Sequence, residues 1–413
     1  MTISSTFLLF LCATTTLATC CSCIRMELNH MDAKENLTTA ERFRRAGARA
    51  RLRHESLGVA VPLTLGSWEF VAHFAIGSPP QEVHAVLDTM SSLVWTQCMP
   101  CGNDCFYQDV DIYDFSLSST GMAVSCNDSL CSAGHETQPC TGDDGRAGAC
   151  AVRTTSVGVD LAGVLCIEEF TFGSAKASIA FGCITKTDAT GIGEGEDASG
   201  VIGLGKGPLS LVSQIGGNRF SYCLSNRAQS SLLVGPSAVL NGGAPFASAP
   251  FSPRSSYNLL LAAVSVGEAD LNIPSEDGGV IIDVRTPFMF LVDAAYKELM
   301  QELSRRLGGS LVLSPIHDMF ELCVAPADVS RLVPPLVLRF GQGGGAWAIP
   351  AENYWIQLNI EASCMMVSNS ALSNGAPMNR TTVIGNYMLQ NMHVLYDLDN
   401  EEVSFQPADC SSI

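Results

Sequence analysis

The sequence predicts a mostly β chain made of two similar halves, with a few short helices. Three observations carry this. Residues 86–95, VLDTMSSLVW, return in altered form at residues 280–291, VIIDVRTPFMFL. From Val61 onward, short apolar runs alternate with Gly, Pro, Asn and Ser, the punctuation of strands and turns. The chain has 413 residues, 47% hydrophobic and 15% charged, enough for two cores and without the bias of a disordered polymer.

The repeated stretch organises the rest. In each copy an Asp ends an apolar run and enters a tight turn. A carboxylate at the end of a buried strand is costly alone. Two that share a site can hold one proton between them. Asp88 and Asp283 are therefore the candidate catalytic pair, one from each half.

Taken in order, the chain opens with an apolar run at residues 7–17, too short to span a bilayer. Residues 1–24 are expected to be a secretory signal peptide, although no Lys or Arg precedes the apolar run. Residues 25–60 carry Arg42, Arg44, Arg45, Arg49, Arg51 and Arg53 with helical patterning, and are expected to be a basic pro-segment covering an acidic cleft. The contrast is large: the whole chain has a formal net charge of -18. That acidity excludes nucleic acid as an expected partner, and no later segment is apolar enough to predict a membrane span.

Seventeen cysteines are present, thirteen of them beyond the signal region. In a secreted chain these predict disulfides. The odd count leaves one over, expected to be Cys166 because it lies in an apolar strand-like run. Sequons at Asn36, Asn127 and Asn379 agree with a secretory route.

The N-terminal lobe is expected at residues 61–235. Residues 70–76 read as a strand, and residues 98–150 as a cysteine-rich insertion. The Cys98, Cys101 and Cys105 spacing superficially suggests a metal site, but no His completes a ligand set nearby, and no metal or other cofactor is expected there. The Gly-rich run at residues 200–214 lacks the spacing and Ser/Thr of a phosphate loop. Residues 208–215 read as a short helix with Pro208 in its first turn. Residues 235–253, rich in Gly, Ala, Ser and Pro, read as a linker. The C-terminal lobe is expected at residues 254–413. Its clearest helix is residues 293–307, capped by Asp293, with Ala295, Leu299, Leu303 and Leu307 recurring every four residues. Further strands are expected at residues 259–266, 336–340 and 394–397.

With VLDTMSSLVWTQCMPCGNDC, GVIGLGKGPLSLVSQ, RFSYCL and VIGNYMLQNMHVLYDL in view, the chain resembles the pepsin family of aspartic proteases, in its plant nepenthesin-like branch. The likeness runs from about residue 61 to Cys410. It implies a bilobal pepsin-like fold with a central cleft, Asp88 and Asp283 facing each other on its floor, and twelve cysteines in six bridges with Cys166 unmatched. The implied chemistry is general acid–base hydrolysis of a polypeptide, with no cofactor. Thr89, Ser91 and Thr286 are the supporting hydroxyls.

Three departures from the family pattern stand in the sequence. The Gly that follows each Asp-Thr or Asp-Ser is Met90 in one half and Arg285 in the other. Val284 replaces a hydroxyl that would lock one turn to the other. The flap Tyr is absent: no Tyr occurs between Tyr113 and Tyr222. A guanidinium beside the pair favours two ionised carboxylates, and a pair without its shared proton has no acid. Two functions are therefore expected as alternatives. One is a secreted or vacuolar aspartic endopeptidase made as a proenzyme. The other is a protease-fold protein, without catalysis, that holds a peptide, a glycan or another secreted enzyme in or beside its cleft, as some relatives inhibit glycosidases; a monomer is expected in either case.

Overall fold

The computed structural model describes residues 24–30, 38–39, 41, 69–139, 148–156, 159–187, 198–225, 230–240, 242, 247–252, 257–274, 278–316, 319–372 and 378–413. The signal region up to residue 23 and most of the expected pro-segment, including the six arginines between residues 42 and 53, lie outside the described residues.

Strands dominate, as the period-2 runs require. The largest sheet has 15 strands and draws on both halves of the chain. In the first half, Phe70–Ile76 and Gln81–Asp88 form an antiparallel pair in register Val71↔Val86 through Ile76↔Gln81. The second half contributes Met392–Asp397 and Glu402–Pro407 to the same sheet. Met392–Asp397 pairs with Arg219–Cys223 of the first half. An eight-stranded sheet carries the second Asp loop, and a three-stranded one is stapled by Cys323–Cys364 across directly opposed positions.

The joint between halves is aromatic. Phe220 stacks on Tyr396 at 4.4 Å between centroids, and Tyr257 meets Tyr396 edge-on at 4.8 Å. All three rings are buried. Burial of rings this large makes the joint part of the core rather than a loose interface.

Several elements depart from their expected form. Ile24–His30, which runs from the last residue read as signal peptide into the span read as pro-segment, is a strand whose alternate residues Ile24, Met26 and Leu28 are buried. It pairs with Ser230–Val234 on one side and Phe70–Ile76 on the other. Ala247–Pro250, inside the stretch read as a linker, is a strand paired with Glu402–Pro407. Its alternating small side chains let it lie flat on the sheet. The short helix begins at Leu211, and Ser210 rather than Pro208 sets its start by accepting from the Ser213 N–H at 3.3 Å. The long helix is Asp293–Leu307 as expected, with Ala295, Leu299, Leu303 and Leu307 buried. Its cap position, however, is Val292. The Asp293 carboxylate instead takes Lys297 one turn on at 2.7 Å and the Asn369 amide at 2.7 Å.

Five disulfides join described cysteines: 98–183, 101–105, 131–150, 223–410 and 323–364. Cys126 is also disulfide-bonded. Cys166 is free and buried, as its place in an apolar strand predicts, and burial followed by the nearby Glu168 charge pushes its thiol up to about 12. Among the described residues no helix is long and apolar enough to cross a membrane.

Candidate active site

Each candidate Asp closes a strand, and each strand is held from the side by a parallel neighbour. Gln81–Asp88 pairs with Gly200–Gly203 so that Leu87 faces Ile202 and Asp88 faces Gly203. Gly279–Asp283 pairs with Thr381–Gly385 so that Ile282 faces Ile384 and Asp283 faces Gly385. The two Ile-Gly dipeptides are thus equivalent positions. Gly is required at both because backbone passes where a side chain would begin. A Cβ on Gly203 would lie 2.5 Å from the Leu93 carbonyl oxygen, and one on Gly385 would lie 2.2 Å from that of Phe288.

The turns then grip their carboxylates through backbone amides. Asp88 Oδ1 accepts from the Met90 N–H at 2.8 Å and from the Ser91 N–H at 3.2 Å. Asp283 Oδ1 accepts from the Arg285 N–H at 3.0 Å. Its other oxygen accepts from the Thr286 hydroxyl at 2.7 Å. Both carboxylates are buried. The Thr286 hydroxyl thus reaches its Asp. The Ser91 hydroxyl does not: it donates to the Leu93 carbonyl at 3.3 Å, and only its amide reaches Asp88.

The turns also touch one another. The Thr89 hydroxyl donates across the joint to the carbonyl of Ile282 at 3.1 Å. Val284 carries no hydroxyl to return the bond. In its place the Asn386 side chain, on the turn after Gly385, donates to the Val284 carbonyl at 2.8 Å. The Asn386 N–H donates to the Thr286 carbonyl at 2.7 Å. Asn386 thus ties the second turn to its own lobe, where Thr89 ties the first across.

The two replaced glycines have opposite fates. Met90 is 37% exposed and leaves the carboxylate through its backbone amide alone. Arg285 is 7% exposed and turns into the site. Its Nη1 donates to Asp88 Oδ2 at 3.5 Å and its Nε to Glu69 Oε1 at 2.6 Å. One residue thus contacts both candidate carboxylates, Asp283 by its backbone and Asp88 by its guanidinium. Glu69, 3% exposed, is a site residue that motif reading missed. Its signal was weak: an acid just before the apolar strand Phe70–Ile76, meaningful only beside an arginine more than two hundred residues later.

Two further tyrosines complete the surroundings. Tyr222 and Tyr396 share a hydrogen bond at 3.1 Å. Burial pushes both phenols above their ordinary range, and the charge of Asp283 adds to it. The hairpin in the flap position, Ala151–Ser156 with Val159–Phe172, contains no aromatic residue before Phe170. Arg153 and Asp160 from this hairpin instead line an open polar cavity of about 820 Å³ with Asp104 and Lys186.

Comparison with known proteins agrees with this architecture. Residues 70–236 match the family model described as "Xylanase inhibitor N-terminal", and residues 256–407 match "Xylanase inhibitor C-terminal". The chain is 33% identical to aspartic proteinase nepenthesin-1 of Nepenthes gracilis, over 93% of this chain and 90% of that protein. It is 29% identical to aspartyl protease 37 of Oryza sativa, over 94% of both. Among solved structures, basic 7S globulin from soybean aligns with a TM-score of 0.65 at 19% identity, covering 95% of this chain and 96% of that one. Conglutin gamma from lupine seeds aligns at 0.69 and 19%, covering 95% and 98%. The chain belongs to the pepsin-like aspartic-protease family, in the group its xylanase-inhibitor models define.

Proposed function

Within that family, we propose that this chain is a binding protein that keeps the protease fold and has lost the hydrolysis. The observation that carries this is the buried Arg285, held between Glu69 and Asp88. Hydrolysis by two carboxylates needs one of them ionised, to take a proton from water, and the other protonated, to polarise the scissile carbonyl. The shared proton is what keeps two like charges together. Here a fixed guanidinium supplies that positive charge and brings no transferable proton, because arginine does not deprotonate in proteins. Its Nη1 stands 3.5 Å from Asp88 Oδ2, one of the oxygens that would have to take the proton of a water. The hairpin adds no phenol to polarise or position substrate.

The partner is proposed to be a secreted polypeptide met along the secretory route, and the family description makes a glycoside hydrolase the first class to try. A protein of this shape offers a large rigid surface without needing its Asp pair. The pair then serves structure, pinning two turns against Arg285.

The purified chain, held at acid pH with a denatured protein substrate, is expected to show no cleavage. The triple change Met90→Gly, Val284→Ser and Arg285→Gly is expected to yield measurable cleavage that a statine-type inhibitor blocks. Cleavage by the unaltered chain, lost on Asp88→Asn, would overturn the proposal in favour of an acid endopeptidase. The retained amide grips on both Asp residues, with the Thr286 hydroxyl on Asp283, are what favour that second reading. Inhibition of a secreted endoxylanase by the intact chain tests the partner class separately.

A further inference from the structure

A different set of residues, on the outer part of the Asp88 hairpin, has the chemistry of a metal site. His73 on Phe70–Ile76 stands directly opposite His84 on Gln81–Asp88 in the antiparallel register. Glu82 lies two positions before His84, so it emerges on the same face. Directly opposed and i, i+2 positions are the closest side-chain neighbours a two-stranded ribbon offers. The three side chains therefore converge by strand geometry alone. One ligand atom from each can be chosen so that all lie within 4.8 Å of one another.

From these contacts we propose that His73, Glu82 and His84 form a site for a first-row divalent cation, with Zn²⁺ the best fit. Two imidazoles and a carboxylate are the donor set that zinc takes in open sites, with a water in the fourth position. The local geometry is close to that set. His84 Nε2 and Glu82 Oε1 are 2.8 Å apart and face each other. The two imidazole rings stack at 3.9 Å with planes 22° apart, side by side on one face of the hairpin. Tetrahedral zinc asks its ligand atoms to stand roughly 3.3 Å apart, from bonds of about 2.0–2.2 Å. Placing an ion between them needs the ligand atoms, now within 4.8 Å of one another, to settle at that spacing through rotation of the exposed Glu82 and a turn of the stacked rings.

The scaffold is rigid where it should be. His84 is 3% exposed, and its carbonyl accepts from both the N–H and the hydroxyl of Ser199, at 2.7 and 2.9 Å. Asn29, on the strand Ile24–His30, places its side-chain nitrogen 3.4 Å from His73 Nε2, an outer contact that steers the ring. Zinc here would clamp the two strands of the hairpin that ends in Asp88, and would do so independently of the Arg285 cluster.

The test is zinc binding by the intact chain, after chelator treatment and dialysis, followed by calorimetry and by metal analysis of the washed protein. One equivalent per chain is expected, with a rise in the thermal unfolding midpoint that a chelator reverses. Glu82→Gln and His73→Asn, made singly, are each expected to weaken binding by at least about tenfold. Glu82 is exposed, so its change leaves the fold intact. Replacement by Co²⁺ should give the intense visible bands of a low-coordinate cobalt site, absent in both variants. No stoichiometric zinc in the unaltered chain would overturn the proposal. So would zinc bound equally tightly by both variants.

Discussion

The two Asp turns are the same device carrying different chemistry. Each ends a strand paired in parallel with an Ile-Gly dipeptide, and each holds its carboxylate by backbone amides. Yet the residue two places after the Asp is exposed in the first half and buried in the second. Met90 leaves its turn unchanged, while Arg285 crosses the joint to Asp88 and Glu69. The backbone plan tolerates both because it asks only for an N–H at that position. The chemistry does not, because a charge in a buried site dominates everything within a few ångströms. A shared scaffold therefore says little about whether both halves still take part in one reaction.

That contrast can be broken most forcefully at Arg285. Arg285→Met leaves Glu69 and Asp88 as buried acids without their cation, and is expected to destabilise by about 3–5 kcal/mol. Met90→Gly, the matching change in the first turn, should shift stability by less than about 1 kcal/mol. Thermal unfolding of the two variants side by side tests the asymmetry. Equal losses would show that the guanidinium is not the organising charge.

The joint between the halves should respond to acid through His393, which lies on Met392–Asp397 and contacts the Ser221 hydroxyl at 2.9 Å. Burial lowers its pKa from 6.5 to about 4. The unfolded chain then binds a proton that the folded chain refuses between those values. Stability is full above about pH 6.5 and falls as pH drops toward 4. The loss from this one group is on the order of 3 kcal/mol. Urea unfolding across that range should show it, and His393→Gln should flatten the slope.

A finer comparison concerns the ties between turns. Thr89→Val removes the one hydroxyl bond from the first turn to Ile282 and is expected to destabilise by about 1 kcal/mol. Val284→Thr offers the reciprocal hydroxyl, and is expected to recover up to about 1 kcal/mol if it finds a carbonyl across the joint. A double-mutant cycle on the pair, read by chemical denaturation, measures whether the two bonds couple.

Smallest is the cap of the short helix. Ser210→Ala should lose about 1 kcal/mol or less, because the Leu211–Ile215 helix is short and Gln214 also ties it to the Ala180 backbone. Thermal midpoint is a sufficient readout.

Much of the fold was legible without coordinates. Strands Phe70–Ile76, Leu259–Val266 and Leu336–Phe340 and the helix Asp293–Leu307 fall where their patterns place them. Cys166 is the unmatched cysteine for the reason its apolar surroundings suggest. What pattern reading could not see were elements whose role depends on a distant neighbour. Ala247–Pro250 looks like a linker because its side chains are small, and becomes a strand only through Glu402–Pro407. Ser91 looks like an orienting hydroxyl, yet its side chain is taken by Leu93 in the same turn. Glu69 and the set of His73, Glu82 and His84 have no motif at all: a distant arginine gives the first its meaning, and strand register brings the others together.

By itself, the sequence determined a mostly β chain and a twice-stated Asp loop, because both are read from short-range patterns, while the bilobal cleft was what the family resemblance implied. Only the tertiary structure decided what the pair can do. Whether Arg285 reaches solvent or Asp88 depends on which way one side chain turns at a joint between segments 197 residues apart. In a buried, low-dielectric site that turn is worth more than the motif around it.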